Sequence, residues 1–397
     1  MPEFVPESID LSGRAVLQVI PSLEGGGAET TTLEITEALV AANARALVAS
    51  QGGALASRIE ALGGEVFLLP VARKNPFIMW RNVYHLAALI GREQVDIIHA
   101  HSRAPAWSSL FAARQCSIPY LATYHGLVHD KPPLKVLYNS VLTRGAAVIA
   151  NSHYTAKRIA AIHKTPPENI KPIAFGCDVG KLNRAQWSAQ QMLAQRQQWG
   201  FAEDDFVIIC PARLTAIKGQ HVLIEALARL ASPIKPKLVF CGGAKPRSDY
   251  MVRLKQLVEK YGLAKRVHFA GHVNNMALAY AASDLAVAPS IRPEPFGLTI
   301  IEASASGLPV MASDAGGFKE TIVTDKGEAG ATGWLVQPDD AVQLAACLDT
   351  ALALRPTQLH QLGENGRAFV GQNFTRARMC AETLAVYGEI LAQRKAQ

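Results

Sequence analysis

The 397 residues contain no CxxC pair. The six cysteines (116, 177, 210, 241, 347 and 380) are scattered, and three sit in the apolar settings VIICPA, LVFCGG and AACLD. That usage argues against a zinc site or a disulfide framework and for buried, reduced thiols in a cytoplasmic protein. No apolar run approaches the ~20 residues that cross a bilayer. The opening MPEFVPESIDLSG lacks a basic stretch followed by an apolar one, so no secretory leader is expected. Helix-turn-helix, zinc-finger and RNP patterns are missing, which removes nucleic acid as an expected partner. There is no short repeat and no low-complexity segment.

Hydrophobic residues make up 49% and charged residues 18%, a packed globular composition on a chain too long for one ordinary core. The net charge of +7 is unevenly spread. Residues 73–171 hold thirteen Lys/Arg against four Asp/Glu, an excess of +9 that is larger than that of the whole chain. Such a region is either a solvated basic face or a surface for an anionic partner.

Short β-branched runs alternate with helical patterns: AVLQVI, ALVAS, EVFLLP, VDIIHAH, YLATYHG and AAVIANS, then, after a less regular stretch near 175–196, FVIICPAR, KLVFCGG, RVHFAG, DLAVAPS, PVMAS and GWLVQP. This rhythm predicts α/β architecture: two doubly wound parallel sheets in tandem, over 1–185 and 186–375. The last ~55 residues carry helical periodicity only, with 376–397 a helix expected to pack back on the first domain. Parallel sheets bind ligands at the carboxyl ends of their strands, so the expected site is a cleft between the two domains.

The polar oddities fall at those strand ends. After FVIICPA comes Arg213, then Lys218-Gly219 at the start of an amphipathic run, a loop that offers a phosphate two cations and a helix N-terminus. The bland reading is a pair of surface cations. In RPEPFGLTIIEASASGLPV, Pro293 and Pro295 hold Glu294 in a non-helical loop. Gly297 permits close backbone approach, and the N–H groups of Gly297, Leu298 and Thr299 open a second helix. Glu302 then lies one turn into an apolar face, where a carboxylate is costly unless hydrogen-bonded. Either a ribose diol or a neighbouring backbone could satisfy it. His99 and His101 point to one strand face as metal ligands do, but no Asp or Glu neighbours them in sequence, and no metal is expected. Gly316-Gly317 reads as a turn before a helix, and His125 in TYHG as either a structural or a functional histidine.

Three segments together resemble the retaining GT-B glycosyltransferases of family GT4: RPEPFGLTIIEA its E-x7-E motif, ARLTAIKG its diphosphate-binding R-x4-K segment, and SLEGGGAE its N-terminal glycine-rich loop. DIIHAHS, TYHG and ANSHYT fall where the family has similar segments. The resemblance implies two Rossmann-like domains facing a central cleft, the first for the acceptor and the second for the donor, with C-terminal helices packing across. It implies that Arg213 and Lys218 bind the donor diphosphate and stabilise the leaving nucleotide, and that Glu302 binds its ribose. Glu294 contacts the transferred sugar, the amides at Gly297, Leu298 and Thr299 hold sugar and phosphate, and His125 lies near the reacting carbon. Gly25, Gly26 and Gly27 face the diphosphate or help place the acceptor, with His101 and Ser102 on the acceptor side.

The reading that follows is a metal-independent hexosyltransferase, cytoplasmic or peripheral on the inner face of the cell membrane. It has no cofactor beyond a nucleotide-diphosphate sugar substrate, and its acceptor is a lipopolysaccharide-type glycan or a glycolipid. The basic region, interleaved with Phe77, Trp80, Tyr84, Leu134 and Leu137, suits an anionic membrane unless those side chains are core. The rival readings are a non-catalytic nucleotide-sugar sensor or scaffold and a sugar-nucleotide epimerase.

Overall fold

The computed structural model describes residues 9–244, 248–324 and 330–396. Residues 1–8, on which the leader expectation partly rests, lie outside them. The chain divides into two compact units. One takes the chain up to Phe175 and then the final helix from Arg376; the other runs from Gly176 to Thr375. This division falls earlier than the expected boundary after residue 185. The reason is local: Cys177 forms a parallel bridge with Thr375, its N–H donates to the Phe374 carbonyl at 2.9 Å, and Leu182 packs in the second unit's core.

The first unit is built on β1 (Ala15–Val19), β2 (Arg45–Ser50), β3 (Glu65–Leu68), β4 (Ile97–Ala100), β5 (Tyr120–Tyr124), β6 (Ala147–Ala150) and β7 (Ile170–Pro172). All neighbours are parallel, in the order β3-β2-β1-β4-β5-β6-β7, with Val16 between Ala46 and Ile97. Side chains alternate between faces with period two. Leu17 and Val19 pack toward the helices Pro76–Arg92 and Arg103–Gln115. Val16 packs on the other face against Ile35 and Leu39 and against Leu384, Tyr387 and Ile390 of the helix Arg376–Ala396.

The second unit repeats the plan with β8 (Val207–Pro211), β9 (Lys237–Cys241), β10 (Val267–Gly271), β11 (Leu285–Ala288), β12 (Val310–Ser313) and β13 (Gly333–Val336), in the order β10-β9-β8-β11-β12-β13. Ile208 and Cys210 join Leu223, Leu227 and Leu348 on one face, while Val207 and Ile209 join Tyr280 and Ile300 on the other. The expected strands are all present.

Two elements escape the sequence pattern. The edge strand β7 is three residues long and ends in proline. The stretch read as irregular contains the helix Ala189–Gln198, whose start is fixed by a reciprocal Ser188–Gln191 capping box. In each sheet the strand order reverses once, between β1 and β4 and between β8 and β11. Ligands bind at the carboxyl ends of strands flanking such a reversal, and the candidate residues follow those strands or, for His125, the adjacent β5.

Candidate active site

In the second unit the chain leaves β8 through Arg213, makes a short turn at Ala216–Lys218, and enters the helix Gln220–Arg229 at Gly219. Gly219 has φ +70°, and a Cβ there would collide with the Pro289 carbonyl. Only glycine lets this loop close onto the loop after β11. That closure brings two sequence motifs together. Lys218 Nζ lies 2.8 Å from Glu294 Oε1, and Ser290 Oγ donates to the same oxygen at 2.6 Å. Both partners of the ion pair are largely buried. Arg213 is exposed, and its guanidinium has no hydrogen bond or ion pair among the described residues.

Glu294 is held through its backbone as well. It bridges Gly316, and Gly317 N–H donates to the Glu294 carbonyl at 2.8 Å. Gly316 has φ +67°, and a Cβ there would strike that carbonyl. The turn read at Gly316-Gly317 does precede the short helix Phe318–Thr321, but its second role is to seat the glutamate loop.

Gly297, at φ +133°, opens the helix Leu298–Ala305. The first N–H groups of any helix have no partner within it, which gives a helix start a partial positive charge. One turn on, Glu302 accepts from the Tyr280 hydroxyl at 2.9 Å through Oε2. Its Oε1 has no hydrogen-bond partner among the described residues. Burial pushes the Glu302 carboxyl up to about 7, and the Tyr280 bond only partly offsets it. The backbone-capping alternative is not what the structure contains; the partner is a buried phenol.

In the first unit the exposed loop Gly25–Gly27 leads from β1 into the helix Gly27–Ala41, with Gly25 at φ +121°. Ser102 precedes the helix Arg103–Gln115 and makes no capping bond through its side chain. His101 and His125 follow β4 and β5, and the structure joins them: His101 Nδ1 is 3.1 Å from His125 Nε2. His101 Nε2 is 2.9 Å from Gln18 Oε1. Both His101 nitrogens are engaged and the residue is 2% exposed.

His99 is equally occupied. Its ring lies 2.7 Å from the Tyr387 hydroxyl and 2.8 Å from Thr123 Oγ1, so the strand-face pair that resembles metal ligands is a core network. Burial depresses all three histidines: His99 to about 3, His125 to about 4, and His101 well below its usual value. They are neutral at physiological pH.

Sequence reasoning misses Gln18, Tyr280, Ser290 and the Gly316-Gly317 clamp. Gln18 carries the clearest signal: it is the one polar residue in AVLQV, a strand buried on both faces.

Residues 25–181 match a family model described as Glycosyltransferase Family 4, and residues 191–369 one described as Glycosyl transferases group 1. A D-inositol 3-phosphate glycosyltransferase from Jonesia denitrificans is 30% identical over 74% of this chain and 71% of its own length. Among solved structures, a glycosyltransferase from Rickettsia africae superposes with TM-score 0.86 at 29% identity, covering 95% of this chain and 98% of that one. Anabaena HepE, crystallised with UDP and glucose, gives 0.80 at 25% identity, covering 94% and 99%.

Proposed function

We propose that this chain, which belongs to the family 4 glycosyltransferases of the GT-B fold, moves a hexose from a nucleotide-diphosphate sugar to a hydroxyl of an envelope glycan or lipid-linked acceptor, with retention of the anomeric configuration. The observation that carries this reading is the 2.8 Å contact between Lys218 and Glu294, which joins the two motifs beside a helix start and the Glu302 carboxylate. UDP and glucose bound to the Anabaena protein support a nucleotide-sugar donor, with UDP-sugars the first to test.

In this mechanism Arg213 and Lys218 grip the diphosphate, with Lys218 already held in place by Glu294 as charge grows on the leaving phosphate. Preorganised cations of this kind act where charge develops and need no reorganisation. The leaving phosphate receives the acceptor's proton on the same face. His125, depressed to about 4 by burial, is too weak a base for that task at neutral pH. Glu302 offers its free oxygen to the ribose diol, and the N–H groups at Gly297 to Thr299 hold sugar and phosphate.

Incubation with UDP-sugars and a glycan acceptor should release free nucleotide and yield a glycosylated product, at rates unchanged by EDTA. An isomerised sugar nucleotide would indicate an epimerase. Tight donor binding without turnover would indicate a sensor. Loss of activity in EDTA, restored by magnesium or manganese, would overturn the metal-independent reading.

We further propose an anionic membrane as the docking partner of the first unit. None of its described helices is long and apolar enough to cross a membrane. The helix Pro76–Arg92 buries Asn82, Leu86, Leu89 and Ile90, yet leaves Phe77, Trp80 and Tyr84 at least half exposed on an i, i+3, i+7 stripe. Leu134 and Leu137 are likewise 80% and 55% exposed on the helix Pro133–Asn139, so these side chains are not core. Ser108 Oγ donates to the Met79 carbonyl and Trp107 Nε1 to the Tyr138 carbonyl, which ties both helices to Arg103–Gln115. Arg73, Lys74, Arg81, Lys131 and Lys135 are exposed among them. Apolar anchors with basic neighbours suit a bilayer interface, where each cation adds about 1 kcal/mol. The protein should float with anionic vesicles and far less with zwitterionic ones at low salt. Equal, negligible binding to both would remove the membrane.

A further inference from the structure

We infer that Gln18 and His101 are positioning residues: they hold His125 as its Nε2–H tautomer and leave Nδ1 as an acceptor for a hydroxyl of the bound substrate. The direction of every hydrogen bond follows from one fixed end. Gln18 Nε2 lies 3.2 Å from the Thr32 carbonyl, which can only accept. It lies 3.0 Å from Thr36 Oγ1, whose own hydrogen is given to that carbonyl at 2.9 Å. The amide orientation of Gln18 is therefore set, and the group facing His101 Nε2 is a carbonyl oxygen.

His101 Nε2 must then carry a hydrogen. The imidazole is fully enclosed and lies against two other histidines, with its ring 4.0 Å from His99 and 5.3 Å from His125. A second proton there would be an uncompensated buried charge. His101 Nδ1 is accordingly a bare lone pair, and the 3.1 Å contact requires His125 Nε2 to donate. In neutral His125 the remaining nitrogen, Nδ1, has no hydrogen. It is buried and has no partner among the described residues.

The ring is stacked on Phe175 at 5.5 Å, and the His125 carbonyl accepts from Asn151 Nδ2 at 3.4 Å, so backbone and ring are both held. A buried acceptor without a donor is costly, and native proteins retain such groups where something else fills them. A hydroxyl hydrogen fits this lone pair, whereas an acceptor-only group such as a carboxylate is repelled by it. Filling it would extend a chain of hydrogen bonds that starts at the helix Gly27–Ala41, each bond polarising the next. The identity of the hydroxyl as one on the transferred sugar rests on the function proposed above; the tautomer does not.

Two readouts keep those claims separate. Long-range ¹H–¹⁵N spectra of histidine-labelled protein report which nitrogen of His125 is protonated, without any substrate. The expected result is Nε2–H in the native protein and in His101→Asn, whose amide oxygen still accepts from His125. His101→Phe, which keeps the ring but accepts nothing, should give a mixture of tautomers, as should Gln18→Leu. In turnover assays with UDP-sugars, His101→Phe should lose about tenfold in kcat/KM, roughly one neutral hydrogen bond, and His101→Asn markedly less. Donor analogues with single hydroxyls replaced by fluorine should include one that penalises the native enzyme but not His101→Phe. An Nδ1–H tautomer in the native protein, or a tautomer unchanged in His101→Phe, would overturn the inference. Correct tautomers with no fluorine-sensitive hydroxyl would overturn the substrate contact alone.

Discussion

The two units solve polar burial in opposite ways. In the second unit the functional groups are charged and meet solvent in part: Arg213 is exposed, and Lys218 and Glu294 form a 2.8 Å pair. In the first unit the three histidines are shut away and neutral: His99 is satisfied by Tyr387 and Thr123 and His101 by Gln18 and His125, while His125 Nδ1 has no partner among the described residues. Charge acts through distance and tolerates small shifts, whereas a neutral hydrogen-bond chain acts only through geometry. Under the proposed function, the charged cluster does electrostatic work and the histidine cluster orients.

The sharpest way to break that contrast is Lys218→Ala. Loss of a preorganised charge in such a site costs ~10²-fold or more in turnover. Donor affinity should fall far less, because Arg213 and the helix starts remain. Steady-state kinetics with varied donor would check this, and near-normal kcat would take the cation out of the mechanism.

A smaller effect is expected at the carboxylates. Glu302→Gln should weaken free-nucleotide binding by about tenfold, the scale of hydrogen bonds made to a charged group. Glu294→Gln should leave nucleotide binding intact and impair the sugar-dependent step. The pH dependence follows from the Glu302 carboxyl at about 7. Two ribose hydroxyls need an acceptor, so they select the ionised form, and nucleotide affinity should rise with pH through about 7 and then level off. The free protein has the opposite sign. A carboxyl raised on folding favours the fold fully below the unfolded value of 4.5 and loses that contribution as pH rises through about 7. Titration of nucleotide into Glu302→Gln should show no such pH dependence; a persistent one would assign it elsewhere.

The smallest effect separates backbone from charge. Gly316 and Gly262 share a left-handed backbone, at φ +67° and +65°, but only Gly316 faces an obstacle, the Glu294 carbonyl. Alanine at Gly262 should cost about 1 kcal/mol of conformational strain. Alanine at Gly316 should cost more, and should also reduce the sugar-dependent step because it moves the Glu294 loop. Equal melting temperatures for the two variants would mean the clamp is slack.

Both sheets and the charged cluster of the second unit are legible in the sequence, because they are written locally. Strand runs bounded by glycine and proline, two cations five residues apart, and two glutamates spanning a helix start all lie within short windows. The neutral cluster of the first unit is not written that way. Gln18, His101 and His125 meet only after β1, β4 and β5 align, and the helix that orients Gln18 lies on the sheet's face. Tyr280 reads as an ordinary core aromatic until its hydroxyl is found on Glu302. Residue type shows that a polar group is buried but not which group answers it.

The split of the first unit across the chain has a consequence for how it is made. Tyr387, whose hydroxyl lies 2.7 Å from His99 Nδ1, and Leu384, Ile390 and Leu391, which cover one face of the first sheet, all lie beyond residue 375. A ribosome adding about 5–20 residues per second must first build the whole intervening unit, a delay of roughly ten to forty seconds. During that interval the nascent first unit carries an uncovered apolar face beside Val16, Ile97 and Leu121. Chaperone demand should therefore peak before the last helix emerges, and truncation ahead of Arg376 should yield a protein that aggregates through its first half while its second half folds.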